Sequence, residues 1–180
     1  TRRVINKEKV HSNEKLVSFF EPHSDIIKKD RRETQFGHKV YLTTGKSGLI
    51  LDCLMPRGNP NDSSLVEELI ERQKQALQKT PRQTSFDGGF ASNAALKDAK
   101  EAGVQDVCFA KKRNLNILDM VKSGWVYKKL RKFRAGIEAI ISTMKRAFGL
   151  DRCTWKGWPG FKQYVWSSIV AFNLQILASS

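Results

Sequence analysis

Two short segments of the chain carry side chains whose types and spacing could do chemistry. Residues 84–90 place the carboxylate of Asp87 at the end of a strand-like run, beside two glycines that allow backbone or substrate to approach closely. Arg134, Glu138 and Lys145 share one helix face, because at about 100° per residue Glu138 lies roughly 40° and Lys145 roughly 20° from Arg134. A strand-end Asp and a helical Glu flanked by cations can hold a divalent metal ion against a phosphodiester.

Each segment also has an ordinary structural interpretation. Asp-Gly-Gly is a common turn sequence. Arg134 and Glu138 could form an ion pair within the helix that stabilises it by only about 0.2–0.5 kcal/mol. The position of Asp87 favours the chemical interpretation, since sites in open α/β sheets collect at the carboxyl ends of strands. The spacing of the residues leaves both interpretations open.

The spacing of the charged helix face resembles that of DDE transposases of bacterial insertion sequences. Three residues separate Arg134 from Glu138, and six separate Glu138 from Lys145. These intervals match the last two intervals of a Tyr-Arg-Glu-Lys pattern in one large group of that family. The Tyr of the pattern would fall at Arg131, so that element is missing here.

The resemblance extends from about residue 15 to residue 177. Residues 35–42 resemble the family's second strand, and residues 58–62 resemble the segment after its third. In the family the first catalytic Asp lies on a strand before this region. The candidates here, Asp25 and Asp30, lie in a charged stretch without a strand pattern. We therefore expect the chain to begin after the first Asp, as a carboxy-terminal piece of a longer transposase, and to be inactive alone.

The resemblance implies a site, a cofactor and partners. Asp87 and Glu138 would be the catalytic and metal-binding residues, holding Mg²⁺, with Mn²⁺ as an alternative, together with the absent first Asp. Arg134 and Lys145 would contact DNA phosphates. The reaction would be DNA cleavage and strand transfer. The partner would be double-stranded DNA from the transposon ends and the target, and the chain could also form a homodimer. No membrane partner is expected, and the location would be the bacterial cytoplasm, at the nucleoid.

The charge of the chain is strongly positive and unevenly distributed. The net charge is +14, which implies an anionic partner such as nucleic acid or an acidic membrane surface. Residues 111–134 contain nine Lys or Arg and one acid, Asp119. The window is either a solvated basic face or, beside a phosphoryl-transfer site, a DNA contact. Four cations of this window lie on the helix predicted over residues 128–148 and are predicted to contact DNA. They are called the cationic face here and are Lys128, Lys129, Arg131 and Lys132.

Three other groups of residues have simpler interpretations. The three cysteines are odd in number and widely spaced, which indicates reduced thiols rather than disulfides or a zinc site. Residues 161–177 are apolar but interrupted by polar side chains, so they predict a packing helix and not a membrane span. The aromatic residues 155–166 could stack on unpaired bases, although such residues more often pack a terminal helix.

The order of the predicted elements indicates an α/β fold of the ribonuclease H type. It is a mixed sheet with flanking helices, which lacks its first strand. Residues 1–34 are expected to be an irregular charged arm, and residues 35–180 a partial ribonuclease H-like catalytic domain. The patterns predict strands over 35–44, 48–55, 83–86 and 104–110, helices from 62 or 63, over 93–102 and over 128–148, a basic loop at 111–120 and a turn at 155–160.

Two other functions remain as alternatives to an active transposase domain. One is a DNA-binding fragment without catalysis that interferes with an intact transposase. The other is a different ribonuclease H-like nuclease. An upstream Asp on a strand would separate the first alternative from the transposase, and strand-transfer products would separate the second.

Overall fold

The computed structural model describes residues 5–9, 18–19, 21–27, 34–111 and 113–179. Short strands and helices combine in the described residues, so the predicted α/β class is confirmed. Two single 3₁₀ turns, Asp62–Leu65 and Gly88–Phe90, precede α1 and α2. In chain order the elements are β1 (Asp25–Ile27), β2 (Gln35–Gly37), β3 (Tyr41–Thr44), β4 (Ile50–Leu54), α1 (Val66–Leu77), β5 (Gln83–Phe86), α2 (Asn93–Glu101), β6 (Asp106–Phe109), α3 (Ile117–Met120), α4 (Gly124–Ala147) and α5 (Gly157–Ala178).

The strands of the described residues form three separate two-stranded sheets, whereas the sequence predicts one mixed sheet. β1 and β2 are antiparallel, β3 and β4 are antiparallel, and β5 and β6 are parallel. The parallel pair follows from the α2 crossover, since strands joined by a helix run in the same direction. The predicted strand over residues 35–44 is divided between two sheets, because Gln35–Gly37 pair with β1 and Tyr41–Thr44 pair with β4.

The prediction for the amino-terminal arm is wrong at one place. Asp25–Ile27, within a stretch expected to be irregular, pair with Gln35–Gly37 through main-chain hydrogen bonds that the side-chain pattern does not reveal. Asp25 therefore does lie on a strand. Asp30, the other candidate for the first catalytic Asp, lies outside the described residues.

Three helix boundaries differ from the predictions, and in two of them a side-chain cap sets where the helix begins. Ser123 accepts a hydrogen bond from the backbone N–H of Val126, so α4 begins at Gly124 and not at Lys128. Asn116 caps α3 in the same way, inside the predicted basic loop. α5 begins at Gly157, inside the predicted turn, because Pro159 is tolerated in the first turn of a helix.

Two apolar clusters hold these elements together. The larger lies between α1, α2, the β5–β6 sheet and the start of α4. The smaller lies between the β3–β4 sheet, the end of α4 and α5, around Met144, Val165 and Ile169. The apolar side of α4 is only partly covered, since Phe133 is 36% exposed and Ile141 37%.

A buried carboxylate ties β6 to its neighbours. Asp106 is 1% exposed, and it accepts hydrogen bonds from Gln83 Nε2 at 2.8 Å and from the Lys122 backbone N–H at 2.9 Å. Burial alone would raise the pKa of Asp106, but these two bonds outweigh it and hold the pKa below the usual 3.8. A carboxylate whose pKa is lowered by folding stabilises the folded state fully at pH values above its pKa in the unfolded chain. This contribution is lost as the pH falls from there through the lower pKa of the folded state.

The Asp106→Asn variant should therefore lose stability at neutral pH. Its free energy of unfolding should be lower by about 1–3 kcal/mol, because a charge-assisted hydrogen bond is lost at a buried site. The fall in stability below about pH 4 should also be shallower than in the wild type. Urea unfolding over a range of pH measures both effects, and an unchanged pH dependence would contradict the assignment.

Candidate active site

Asp87 lies where β5 ends, as the sequence predicts. Its Oδ1 accepts a hydrogen bond from the backbone N–H of Gly88 at 2.6 Å and caps the 3₁₀ turn Gly88–Phe90. The predicted turn is therefore present. The turn leaves the carboxylate accessible to other partners, because the side chain of Asp87 remains 65% exposed.

Arg134 of α4 joins the two predicted segments. Its Nη2 donates to Asp87 Oδ1 at 2.8 Å, and its Nη1 donates to Glu138 Oε1 at 3.0 Å. The intrahelical pair with Glu138 is thus present together with a contact to Asp87 across the fold. Arg134 is largely covered, with 20% of its side chain exposed, whereas Glu138 is 63% exposed.

Asp87 and Glu138 consequently lie close together. A guanidinium is a small planar fork, so two oxygens bound to its two terminal nitrogens lie within roughly 8 Å of each other. Both carboxylates therefore open on the same side of the β5–β6 sheet. The sequence predicts that Asp87 and Glu138 lie near each other, and Arg134 contacts both.

The cations predicted around this site are not all at the same place. Lys145 and Lys129 line the same cavity as Asp87 and Glu138. Lys145 Nζ lies 4.0 Å from Asp151, and Lys129 lies over the ring of Trp125. The remaining residues of the cationic face, Lys128, Arg131 and Lys132, are exposed but do not line that cavity.

A third carboxylate, Asp62, is anchored next to the Asp87 turn. The sequence suggests Asp62 or Ser63 as a helix cap, but the cap is Asn61. Asp62 Oδ1 instead accepts hydrogen bonds from Lys39 Nζ at 2.8 Å and Tyr41 Oη at 2.7 Å. Burial, followed by the contact with Asp62, raises the pKa of Tyr41, which therefore stays a donor. In the sequence, the sign of this close approach is Gly89, the second glycine after Asp87, because any larger side chain there would meet Asp62.

Comparison with known proteins identifies the family. The family model of the transposase DDE domain matches residues 15–174. The chain belongs to the DDE transposase family. The resemblance seen in the sequence is thereby confirmed, and the family implies a DNA substrate and the use of a divalent metal ion. A search of curated proteins gave no match, and neither did a search of solved structures.

The carboxylates in the described part of the chain do not gather into a larger metal-binding group. Those residues contain no group of three or more His, Cys, Asp or Glu side chains that could hold a metal ion. Asp25 lies on a strand, but its Oδ2 lies 3.4 Å from His38 Nδ1 and it does not line the cavity of Asp87 and Glu138. Asp87 and Glu138 are the two carboxylates that Arg134 joins, and Asp62 lies beside the Asp87 turn.

The aromatic segment of the transposase mainly packs. Trp158 contacts His38 edge-on and stacks on Phe161, and Trp155 contacts Tyr164 edge-on. These contacts support the packing interpretation over base stacking for this segment. In the same described ranges, no helix has the length and apolar character needed to cross a bilayer.

Gly89 gives a direct test of the contact between the Asp62 network and the Asp87 turn. A Cβ at Gly89 would overlap Asp62 Oδ2, which cannot easily move because Lys39 and Tyr41 hold the same carboxylate. Gly89→Ala should therefore lower the free energy of unfolding by about 1–3 kcal/mol. Gly136→Ala is the control, because a Cβ at that exposed position of α4 would meet nothing within 4 Å. Equal costs in urea unfolding would contradict this packing.

Proposed function

We propose that this chain contributes Asp87 and Glu138, as metal-binding carboxylates, to the metal-dependent DNA cleavage and strand transfer of an insertion sequence. One observation supports the assignment above the others: both carboxylates, from a strand end and a helix, bind one guanidinium. A merely structural Asp-Gly-Gly turn would not require a helical Glu beside it. A merely intrahelical Arg134–Glu138 pair would not reach Asp87.

The residues present fit a divalent cation. Asp87 and Glu138 are both mostly exposed and converge on a positive charge, and carboxylate oxygens are the ligands that Mg²⁺ and Mn²⁺ prefer. Bound there, the metal would activate the attacking oxygen and stabilise the leaving oxygen of an in-line displacement at phosphorus. The family resemblance implies one further carboxylate, from the strand that precedes β2 in related chains.

The chain's own side chains have separable tasks in this proposal. Asp87 and Glu138 supply negative charge on one side of the site. Arg134 keeps the two carboxylates together in the absence of metal and can turn to a phosphate when they bind a cation, because its fork matches phosphate oxygens. Lys145 and Lys129, which line the same cavity, position the DNA backbone without reading its sequence.

The sheets support the ribonuclease H-like part of the proposal. Within residues 35–180, the antiparallel β3–β4 pair and the parallel β5–β6 pair would be two parts of one mixed sheet, with the missing strand between them. Such sheets collect sites at strand ends, where Asp87 lies. The proposal also covers a duplex DNA partner, association with the nucleoid through that DNA, and a homodimer, since transposon ends come in pairs.

A metal-substitution experiment tests the proposed function. Fe²⁺ reduces added hydrogen peroxide to hydroxide and a hydroxyl radical that cuts chains near the bound iron, and ascorbate returns the resulting Fe³⁺ to Fe²⁺. In a complex with duplex DNA, the wild type should produce cuts in the DNA and in the protein backbone near Asp87 and Glu138. The Asp87→Asn and Glu138→Gln variants should lose both sets of cuts. Asp119→Asn, which changes an exposed carboxylate on α3, is the matched control and should retain them.

The same experiment also tests the alternative function, a DNA-binding fragment without catalysis. Two carboxylates and an exposed basic helix would also suit a DNA-binding fragment without catalysis. Duplex that is bound but not cut by iron, with equal affinity in the wild type and both site variants, would favour that fragment and overturn the metal assignment.

A further inference from the structure

Two donors from the chain that leads into β3 hold the carboxylate of Asp62. Lys39 Nζ and Tyr41 Oη both donate to its Oδ1, at 2.8 and 2.7 Å. Lys39 Nζ also donates to the carbonyl of Pro60 at 3.1 Å, which fixes the cation beside the loop that precedes Asp62. A hydrogen bond between charged groups is about twice as strong as a neutral one. The carboxylate of Asp62 therefore has a fixed position relative to β3.

The other oxygen of Asp62 lies against the turn that carries Asp87. Its Oδ2 is so close to Gly89 that a Cβ there would overlap it. Gly89 is the middle residue of the 3₁₀ turn Gly88–Phe90, and Asp87 caps that turn by accepting a hydrogen bond from the Gly88 N–H at 2.6 Å. Asp62 thus contacts the turn only a short way along the chain from Asp87.

The ring of Tyr41 holds the end of the same turn. It contacts Phe90 edge-on at 5.7 Å between ring centroids, and Phe90 packs on Phe86 at 5.4 Å. Phe90 is 8% exposed, whereas the side chain of Asp87 is 65% exposed. An exposed carboxylate is held by few contacts of its own, so the position of Asp87 depends on the covered turn that follows it.

The two adjacent glycines make this support important. Glycine has more backbone freedom than any other residue, so the segment Asp87–Gly88–Gly89 would adopt several conformations without a further contact. A metal ligand has to be held within about 0.5 Å of its productive position. The contact at Gly89 restricts the segment, and only a residue without a side chain allows Asp62 to come so close.

The surroundings of Asp62 suit a supporting role better than direct metal binding. One oxygen accepts two hydrogen bonds, one of them from a cation, and the other oxygen lies against Gly89. A metal ion would have to displace Lys39 or the turn to reach this carboxylate. Among the described residues, Asp62 also belongs to no group of three or more side chains that could hold a metal ion.

We propose that Asp62 is a positioning residue for Asp87. Anchored by Lys39 and Tyr41, it holds the Gly88–Phe90 turn from the β3 side, and the turn holds the carboxylate of Asp87 where it can share a metal ion with Glu138. Asp62 acts through the turn and does not touch the metal. The inference rests on the proposed function, because it concerns how Asp87 is prepared for a cation.

Mn²⁺ titration of the folded chain tests this role, with free Mn²⁺ measured by electron paramagnetic resonance. Lys39→Met removes one anchor of Asp62 together with a positive charge. It should weaken Mn²⁺ binding about tenfold, at the lower end of the ~10–100-fold effect of residues that orient metal ligands. Tyr41→Phe removes the other anchor without a change in charge, and it should also weaken Mn²⁺ binding.

The sign of the Lys39→Met effect separates positioning from two other roles. A purely electrostatic effect would tighten Mn²⁺ binding, because a positive charge near the site is lost. Tighter binding would also follow if Asp62 were itself a ligand, since the variant releases its carboxylate. Arg72→Met is the matched control. It removes the same charge and breaks the ion pair with Asp52 at 2.7 Å, outside the cavity of Asp87, so Mn²⁺ binding should be nearly unchanged.

Amide exchange of Gly88 monitors the turn without any metal ion. Gly88 is buried, and its N–H donates to Asp87 Oδ1. In Lys39→Met this amide should exchange about tenfold faster than in the wild type, because the turn opens locally more often. The amide of Ala110, which donates to the Phe86 carbonyl at 3.0 Å, should exchange as in the wild type.

The two measurements distinguish failure of this role from failure of the proposed function. If Asp87→Asn does not weaken Mn²⁺ binding, the proposed function fails, and Gly88 exchange alone decides whether Asp62 holds the turn. If Asp87→Asn does weaken it, unchanged or tighter Mn²⁺ binding in Lys39→Met would overturn the positioning role. Unchanged Gly88 exchange would overturn it in either case. If Lys39→Met fails to fold, Tyr41→Phe decides by the same two measurements.

Discussion

Replacing the whole cationic face by alanine should reduce the salt dependence of duplex binding more than any other change in this chain. Each phosphate contact contributes about 0.9 to the slope of log affinity against log salt. Four lost contacts should therefore make the slope shallower by about 3–4. Between 50 and 200 mM salt, the wild type should lose about a hundredfold more affinity than the variant. The loss should be similar for unrelated duplex sequences, because phosphate contacts carry little sequence information.

The fold should survive this fourfold change. All four side chains are exposed, and the losses are the contacts of Lys129 with Trp125 and Arg131 with Tyr127, worth about 1 kcal/mol each at most when exposed. Fluorescence anisotropy of labelled duplexes over a salt series measures the slope. A control with the same change in net charge replaces four exposed lysines on other elements, Lys74, Lys79, Lys97 and Lys162. Equal slopes for the two variants would show that the cationic face is only a solvated surface.

Removing the Arg134 side chain should tighten metal binding. Arg134 occupies both carboxylates, so a divalent cation has to displace it. Each exposed ion pair is worth about 0.2–1 kcal/mol, and both are given up when the metal binds. Arg134→Met should therefore lower the Kd for Mn²⁺ by about three- to tenfold, since the two pairs together are worth roughly 1 kcal/mol. The same variant should bind duplex DNA more weakly, because it loses a phosphate contact.

The opposing directions of these two effects make the result specific. Arg146→Met removes another cation about three turns further along α4 and should leave the Mn²⁺ affinity nearly unchanged. Electron paramagnetic resonance measures free Mn²⁺ in both titrations. If Arg134→Met binds Mn²⁺ more weakly than the wild type, Arg134 orients the carboxylates for the metal and does not compete with it.

The local parts of this structure could be predicted from sequence. The strand before Asp87, the glycines after it and the α2 crossover follow from turn chemistry and periodicity over a few residues. The α4 face that carries Arg134 and Glu138 follows from the helical repeat. The approach of Asp87 to Glu138 could also be predicted, but only with the family resemblance, since spacing alone equally allows an intrahelical pair.

The parts that could not be predicted depend on contacts between distant residues. Lys39 and Asp62 are far apart in sequence, and nothing local shows that they pair. The pairing of Asp25–Ile27 with Gln35–Gly37 uses main-chain groups that every residue has, so composition does not reveal it. The division into three sheets depends on how distant strands lie relative to one another, which no property of the individual strands predicts.

Mn²⁺ titration of the wild type and two conservative variants tests the central claim, that Asp87 and Glu138 hold one metal ion together. Asp87→Asn and Glu138→Gln each keep the side-chain shape and remove one charge. Each should weaken Mn²⁺ binding at least about tenfold, since a hard cation depends on carboxylate charge. Asp119→Asn should bind as the wild type does. Mn²⁺ affinities that are the same in the wild type and both site variants would contradict the account.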